Sequence, residues 1–270
     1  MTSTEQISEL VDKLTEIKAS SQPGEDYHER YKKQPKLFRK LVNEEIKLER
    51  MVKRYQRDLR KQIPDLIDWA AFREDKAKLA PREKWRDVKK DLEGRLLRQL
   101  EPASQIGKEY GEAQYRVPIP AGKADPEIQT AIRKRSKQTA NSVVDTFKDS
   151  LNAKLKTVVQ KKKIEAQEYP VDIEREFERD LDAVATNDAK AEQIGRTEAI
   201  AMAMAALLAY GSLAKSEFKT WRTVPGAEEI CADLEGQTIP MNESFDSLIG
   251  PVDQPPDPHP NCRCYLDLTN

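Results

Sequence analysis

The sequence predicts a mainly α-helical protein made of long charged helices, with a small C-terminal α+β module of short strands and loops. Charged residues make up 34% of the 270 residues and aromatic residues 6%, which is typical of exposed helix faces around a thin core. Apolar residues recur at every third or fourth position through most of the chain, which is the helical period. After residue 220 the sequence becomes rich in Pro, Thr and Asp, with the short apolar alternations typical of strands and turns.

The apolar spacing places the helices in order along the chain. For example, Leu41, Leu48 and Val52 share one face of a segment that Pro64 ends. On the same grounds we expect helices over 4–19, 36–62, one or two segments within 65–100 with Pro81 in a first turn, 126–163, 170–185, and a last one from about 188 capped by Asn187. Residues 101–126 hold four prolines and three glycines, which predicts an irregular boundary or hinge.

These elements suggest three regions. We expect a basic N-terminal helical region over 1–110, a hinge with central helices over 111–187, and a C-terminal module over 188–270. The most apolar stretch, 199–214, is alanine-rich and interrupted by Tyr, Gly and Ser, so a buried core helix is favoured over a membrane span. The first residues lack the basic patch and apolar run of a signal peptide, so we expect synthesis in a reducing cytosol and no membrane partner.

Charge is divided unevenly along the chain. Residues 1–163 hold 38 basic and 26 acidic residues, whereas residues 164–270 hold 8 basic and 21 acidic ones. Such a division suggests different partners for the two parts, with nucleic acid or an acidic protein surface facing the basic part. The alternative is that both charged parts are solvated and attract each other.

The segment "PPDPHPNCRCYLDL", residues 255–268, carries the strongest chemical signal. Cys262 and Cys264 would project to the same face of a strand, and His259 precedes them across a proline-stiffened turn. With Cys231 they offer three sulfurs and one nitrogen, a candidate tetrahedral zinc set. The alternatives are structural thiols beside a hydrogen-bonded histidine, or a redox or catalytic pair of Cys262 and His259.

A second group lies in "RTEA", where Arg196 and Glu198 fall on different sides of a helix. Either they project into a site shared with the C-terminal module, or they tie the helix to that module, with Arg196 buried against a carboxylate such as Asp233. Trp221 is expected to be a core anchor. The sequence contains no Gly-rich phosphate loop, His-Glu-x-x-His motif or nucleophile elbow.

The order of motifs in the C-terminal part resembles that of the Mu F-like head morphogenesis family. The motifs are "IGRTEA", an alanine-rich helix, a tryptophan, "CADLEGQ" and "PPDPHPNCRC" before a short strand. The resemblance covers roughly 190–268, and its members are minor capsid proteins of tailed double-stranded DNA bacteriophages. The positions that match the family's signature are Arg196, Thr197, Glu198, Trp221, Cys231, His259, Pro260, Asn261, Cys262, Arg263 and Cys264. Relatives often have Cys-x-x-Cys in the middle of the module, whereas here Glu228 occupies the first of those positions.

The resemblance implies a virion component without an enzymatic role, made in the host cytoplasm and placed in the capsid interior near the portal vertex. Such a minor head protein acts in head morphogenesis, procapsid assembly, DNA packaging or genome ejection. Its expected partners are the portal protein, the major capsid or scaffolding protein and packaged double-stranded DNA. The rival interpretations are a Cys/His- or zinc-dependent enzyme and a nucleic-acid-binding protein that is absent from the particle.

Overall fold

The computed structural model describes residues 36–115, 125–165, 188–224 and 226–270. Within them lie six α-helices and five short strands, so the prediction of a mainly helical protein with a small α+β part is confirmed. The helices expected over 4–19 and 170–185, and the cap at Asn187, lie outside the described residues.

The elements follow one another in a simple order. The helices are α1 (Lys36–Gln62), α2 (Trp69–Arg73), α3 (Arg82–Tyr115), α4 (Asp125–Glu165), α5 (Asp188–Ala214) and α6 (Glu229–Ala232), with a 3₁₀ turn at Ile63–Leu66. The strands are β1 (Phe218–Arg222), β2 (Thr238–Pro240), β3 (Phe245–Ser247), β4 (Gly250–Val252) and β5 (Tyr265–Thr269). We call α1, α3, α4 and α5 the bundle, and residues 218–270 the strand module.

The bundle is built around α5, which packs against both α1 and α3, while α4 packs mainly on α3. Each long helix contributes one apolar stripe at a spacing of three or four residues, as the sequence predicts. The stripe of α1 includes Leu41, Leu48 and Val52, and all three are almost fully buried. The helices predicted over 36–62 and 126–163 are therefore confirmed.

The prediction of irregular chain from residue 101 is wrong as far as residue 115, because α3 is continuous through Pro102 and ends at Tyr115. The division expected at residue 110 therefore falls inside a helix. Pro102 removes one hydrogen bond but lies on an exposed face, so the stripe of Ala103 and Ile106 still packs inward. At Gly107 the backbones of α3 and α5 approach so closely that an added Cβ would lie 1.8 Å from the carbonyl oxygen of Ala203.

The alanine-rich helix α5 is a core helix, as predicted. By length and composition it is, among the described residues, the one helix apolar enough to cross a membrane. Most of its alanine and methionine side chains are buried against neighbouring helices. Its glycine at position 195 lies against the backbone of α1, where a Cβ would come within 2.7 Å of the Glu45 carbonyl oxygen.

The strand module contains a three-stranded antiparallel sheet in the order β2-β1-β5 and a β3–β4 hairpin. Trp221 on β1 is fully buried and meets Phe245 of the hairpin edge-on, with ring centroids 5.2 Å apart. This contact joins the sheet to the hairpin, so the prediction that Trp221 anchors a core is confirmed.

The last strand is bound to the bundle through Asp267. The Tyr110 hydroxyl of α3 donates a hydrogen bond of 2.6 Å to Asp267 Oδ1, and Gln114 Nε2 donates to the same oxygen at 2.9 Å. Arg222 Nε of β1 donates to the other carboxylate oxygen at 2.8 Å. One carboxylate therefore connects the sheet to a helix more than 150 positions earlier in the chain.

Candidate metal centre

The four residues predicted as ligands come together in the strand module, and we call Cys231, His259, Cys262 and Cys264 the Cys/His cluster. Cys231 lies on the short helix α6, and the other three lie in the irregular segment that precedes β5. Cys262 and Cys264 precede the last strand, because β5 begins only at Tyr265. Their sulfurs nevertheless point into the same cluster.

The cluster geometry suits a tetrahedral metal ion. The three sulfur atoms all lie within 4.8 Å of one another, and Cys231 Sγ is 3.5 Å from Cys262 Sγ. Zn–S bonds of about 2.3 Å in a tetrahedron place sulfurs about 3.8 Å apart, so little movement would be needed. His259 Nε2 lies 3.0 Å from Cys231 Sγ, although it falls outside the set whose atoms are mutually within 4.8 Å. The buried cysteine cluster could therefore hold a metal ion.

The orientation of His259 fits that of a ligand. Its Nδ1 lies 2.8 Å from the carbonyl oxygen of Pro260, to which it donates its proton, so the lone pair of Nε2 faces the sulfurs. Glu228 Oε1 lies 3.7 Å from the same Nδ1, on the side of the ring away from Cys231. The second oxygen, Glu228 Oε2, is buried and makes no hydrogen bond within the described part of the chain. Glu228 therefore stands beside the histidine ring.

The pKa values of the thiols diverge strongly. Hydrogen bonds from Cys231 and Cys262 lower the pKa of Cys264 to about 4, and the backbone N–H of Val224 acts in the same direction. Burial, followed by the hydrogen bonds with the other two sulfurs, raises the pKa of Cys262. For Cys231 the bond with Cys262 lowers the pKa, but the bond with Cys264 and burial outweigh it and raise the pKa. The ionisation of each thiol therefore depends on the other two, with burial opposing ionisation of Cys231 and Cys262, and a bound cation would favour their thiolate forms.

The three sulfurs of the cluster are almost fully buried. Cys231, Cys262 and Cys264 are between 0% and 1% exposed, so a substrate could not reach a nucleophilic sulfur without opening of the module. All three cysteines are free. Ionising buried sulfur is electrostatically costly, and a bound metal ion would offset that cost. The three buried sulfurs are therefore compatible with a metal site.

Asn261 explains the tight turn between the histidine and the cysteines. Its φ of 67° lies in the left-handed region, which asparagine tolerates better than most residues. This conformation turns the chain so that His259 and Cys262 both face inward. The Asn261 N–H also donates to Thr197 Oγ1 of α5 at 3.1 Å, so the turn is fixed to the bundle.

Arg196 and Glu198 do not pair with each other, as predicted, and both make helix contacts. Arg196 forms an ion pair with Glu192, one turn earlier on α5, so the expected carboxylate is Glu192 and not Asp233. Glu198 is 7% exposed at its side chain and accepts a hydrogen bond of 2.7 Å from Arg135 Nε on α4. These contacts lie within α5 and between α5 and α4, whereas the expected tie was to the C-terminal module.

Two partners of the signature residues were not predicted. Arg135 neutralises Glu198, and buried Glu45 of α1 lies 4.0 Å from the guanidinium of Arg263. The sequence does indicate that Glu45 is buried, because it occupies an inward position of the α1 stripe between Leu41 and Leu48. Nothing in the sequence distinguishes Arg135 from the other cations of α4.

The remaining signature residue, Pro260, lines an open cleft of about 260 Å³ between α4 and α5. Arg135, Thr197 and Glu198 also line this cleft. Thr197, Glu198 and Pro260 therefore lie at one junction of α4, α5 and the segment before β5. Comparisons of the chain with protein families, curated proteins and solved structures gave no match.

Proposed function

We propose that this chain is a minor head protein of a tailed double-stranded DNA phage, with a structural metal in its strand module. In this proposal it lies inside the capsid near the portal vertex and acts in procapsid assembly, DNA packaging or genome ejection. The observation that carries the proposal is the convergence of the signature residues on one junction. Thr197 contacts Asn261, Glu198 contacts Arg135, and the Cys/His cluster lies beside them.

A structural role accounts for these residues better than an enzymatic one. The thiols are buried, and the polar signature side chains are occupied by contacts between elements of the fold. Zinc is the metal that suits three sulfurs and one imidazole nitrogen, because this donor set is typical of closed structural sites. Zinc binding would stabilise a module with few apolar side chains of its own.

The location is tested on particles of the phage that encodes the chain. We expect mass spectrometry to find it in purified procapsids and virions, in few copies per particle. Procapsids assembled without the portal protein serve as the control and should contain little of it. Recovery only from the soluble fraction of infected cells would contradict the proposal and favour a nucleic-acid-binding protein outside the particle.

Substitutions at the cluster separate the structural role from catalysis. The variants His259→Ala and Cys262→Ser should misfold in the strand module and fail to enter particles. An enzyme would instead give variants that fold, enter particles and lack activity. Lys76→Gln, which changes an exposed residue near α2, is the control and should be incorporated normally.

A further inference from the structure

The outer face of α1 carries a row of cations that the metal centre does not use. Lys47, Arg50, Arg54, Arg57 and Lys61 follow one another at spacings of three and four residues, so they share one side of the helix. All five side chains are exposed. With a rise of about 1.5 Å per residue, the row is about 21 Å long.

Helix α3 adds a sixth cation beside this row. Arg98 is exposed and lines a cleft together with Arg54, Arg57 and Lys61. An adjoining cleft of about 440 Å³ has no carboxylate in its lining, which consists of Lys47, Arg50, Lys53, Arg54, Arg57 and Gln99. We call Lys47, Arg50, Arg54, Arg57, Lys61 and Arg98 the basic face.

Most charges of the basic face are not neutralised by the protein. In the part of the chain that the structure describes, Lys47 pairs with Glu44, whereas Arg50, Arg57, Lys61 and Arg98 form no ion pair. Asp58 and Asp91, which line the same cleft as Arg98, are paired with Arg95. Like charges one turn apart weaken a helix, and a bound polyanion would relieve this repulsion.

We infer that the basic face binds the sugar–phosphate backbone of double-stranded DNA. The length of the row matches about six base pairs, over which DNA carries about one charge per 1.7 Å of its axis. Four of the six cations are arginines, whose planar guanidinium groups suit phosphate oxygens. That the basic face binds a polyanion follows from its charge pattern. That this polyanion is DNA rests on the proposed function. Because backbone contacts carry no sequence information, the binding should be independent of base sequence.

The experiment measures binding of the full-length chain to a labelled 30-base-pair DNA of random sequence by fluorescence anisotropy, between 50 and 200 mM salt. The test variant is Arg50→Gln/Arg57→Gln/Lys61→Gln. The control is Arg133→Gln/Lys137→Gln/Lys156→Gln on α4, which removes the same charge from exposed residues that form no ion pair among the described residues.

Each phosphate contact contributes about 0.9 to the slope of log K against log salt, so the test variant should lose about 2.7 of that slope. At 100 mM salt this loss lowers the affinity on the order of 100-fold. The control should bind within about twofold of the unmodified chain. Arg50→Lys/Arg57→Lys keeps the charges and should keep the salt slope.

Three results would overturn the inference. They are the absence of DNA binding at 50 mM salt, an equal loss in the test and control variants, and binding of poly-L-glutamate as tight as that of DNA. The last result would assign the basic face to an acidic protein surface, such as the acidic part of a second copy. None of them depends on whether the chain enters phage particles, so failure here is distinguishable from failure of the proposed function.

Discussion

The bundle and the strand module are stabilised by different means. In the bundle, four long helices bury continuous apolar stripes, and α5 approaches its neighbours at backbone distance near Gly107 and Gly195. In the strand module, a few large side chains such as Trp221 and Phe245 form a small core, and buried sulfur lies next to it. In the proposed function, a bound metal would supply the strand module with a local cross-link in place of a large apolar core.

The largest expected effect comes from removing the cross-link. Cys262→Ser should abolish stoichiometric metal binding and unfold the strand module, because structural zinc contributes about 10–16 kcal/mol in small zinc-binding peptides. The bundle should stay helical, since most of its buried apolar side chains lie on the long helices themselves. Elemental analysis combined with hydrogen exchange of the β1 and β5 amides measures both effects.

Chelation of the unmodified chain is the matching control, and it should expose three thiols to titration. Falling pH should weaken metal binding, because Cys231 and Cys262 have raised pKa values and must release protons to bind. Purified protein without stoichiometric metal and with three freely reactive thiols would end the zinc proposal.

The next largest effect should come from the closest backbone contact of the bundle. Gly107→Ala places a methyl group against the Ala203 carbonyl, and the helices must separate to admit it, so we expect a loss of about 3 kcal/mol in unfolding free energy. Gly94→Ala on the same helix is the control. Its Cβ would meet only an arginine side-chain atom at 3.9 Å, so it should be neutral or stabilise by up to about 1 kcal/mol. Urea unfolding of both variants measures the difference, and equal stability would refute the close contact.

A smaller effect is expected where the two regions meet at Asp267. Tyr110→Phe removes the hydrogen bond to that carboxylate and should cost about 1.5–3 kcal/mol near neutral pH. Burial, together with the bond to Asp267, raises the pKa of Tyr110 above its ordinary value of 10.0. The unfolded chain therefore ionises this tyrosine first, so its contribution is fully present below about pH 10 and is lost as pH rises further.

Unfolding free energies of the unmodified chain and of Tyr110→Phe at pH 8 and pH 11 test this dependence. The gap between them should narrow at the higher pH. A gap that widens or stays constant would mean that Tyr110 does not stabilise the fold through its neutral hydroxyl.

The smallest expected effect concerns the hydrogen bond that fixes the Asn261 turn. Thr197→Val removes the acceptor of the Asn261 N–H and should cost about 1 kcal/mol in unfolding free energy. Thr130→Val removes a hydroxyl that bonds only within its own helix, so it should change stability by less than about 0.5 kcal/mol. If the unfolding temperature falls equally in Thr197→Val and Thr130→Val, the hydrogen bond from α5 does not stabilise the Asn261 turn.

The long helices were predictable because the spacing of their apolar residues and the residues that end helices indicate the same boundaries. The segment 36–62 carries a regular stripe and ends before Pro64, and the structure places α1 over the same residues. Residues 101–115 were misjudged, because proline and glycine usually interrupt helices. In α3, Gly107 instead admits the backbone of α5 and Gly111 admits the ring of Tyr210, and a sequence by itself does not show which helix the neighbour is.

The candidate site was predictable to a similar extent. The Cys/His cluster followed from residue types and local turn chemistry, whereas its electrostatic surroundings depend on elements that are distant in the chain. Arg135 reaches Glu198 across 63 positions, and only the packing of α4 on the core brings them together. Glu228 lies three residues before Cys231, but that spacing did not reveal that its carboxylate faces the histidine ring.

The glycine contacts of α5 also determine where the strand module points. Gly107 of α3 receives the backbone of α5 at Ala203, and Gly195 of α5 faces the backbone of α1 at Glu45. Because these contacts involve two different neighbours, α5 can neither slide along its axis nor turn about it without losing one of them. The rotation of α5 about its axis is thereby fixed, and with it the side of the helix on which Thr197 meets Asn261 next to the Cys/His cluster.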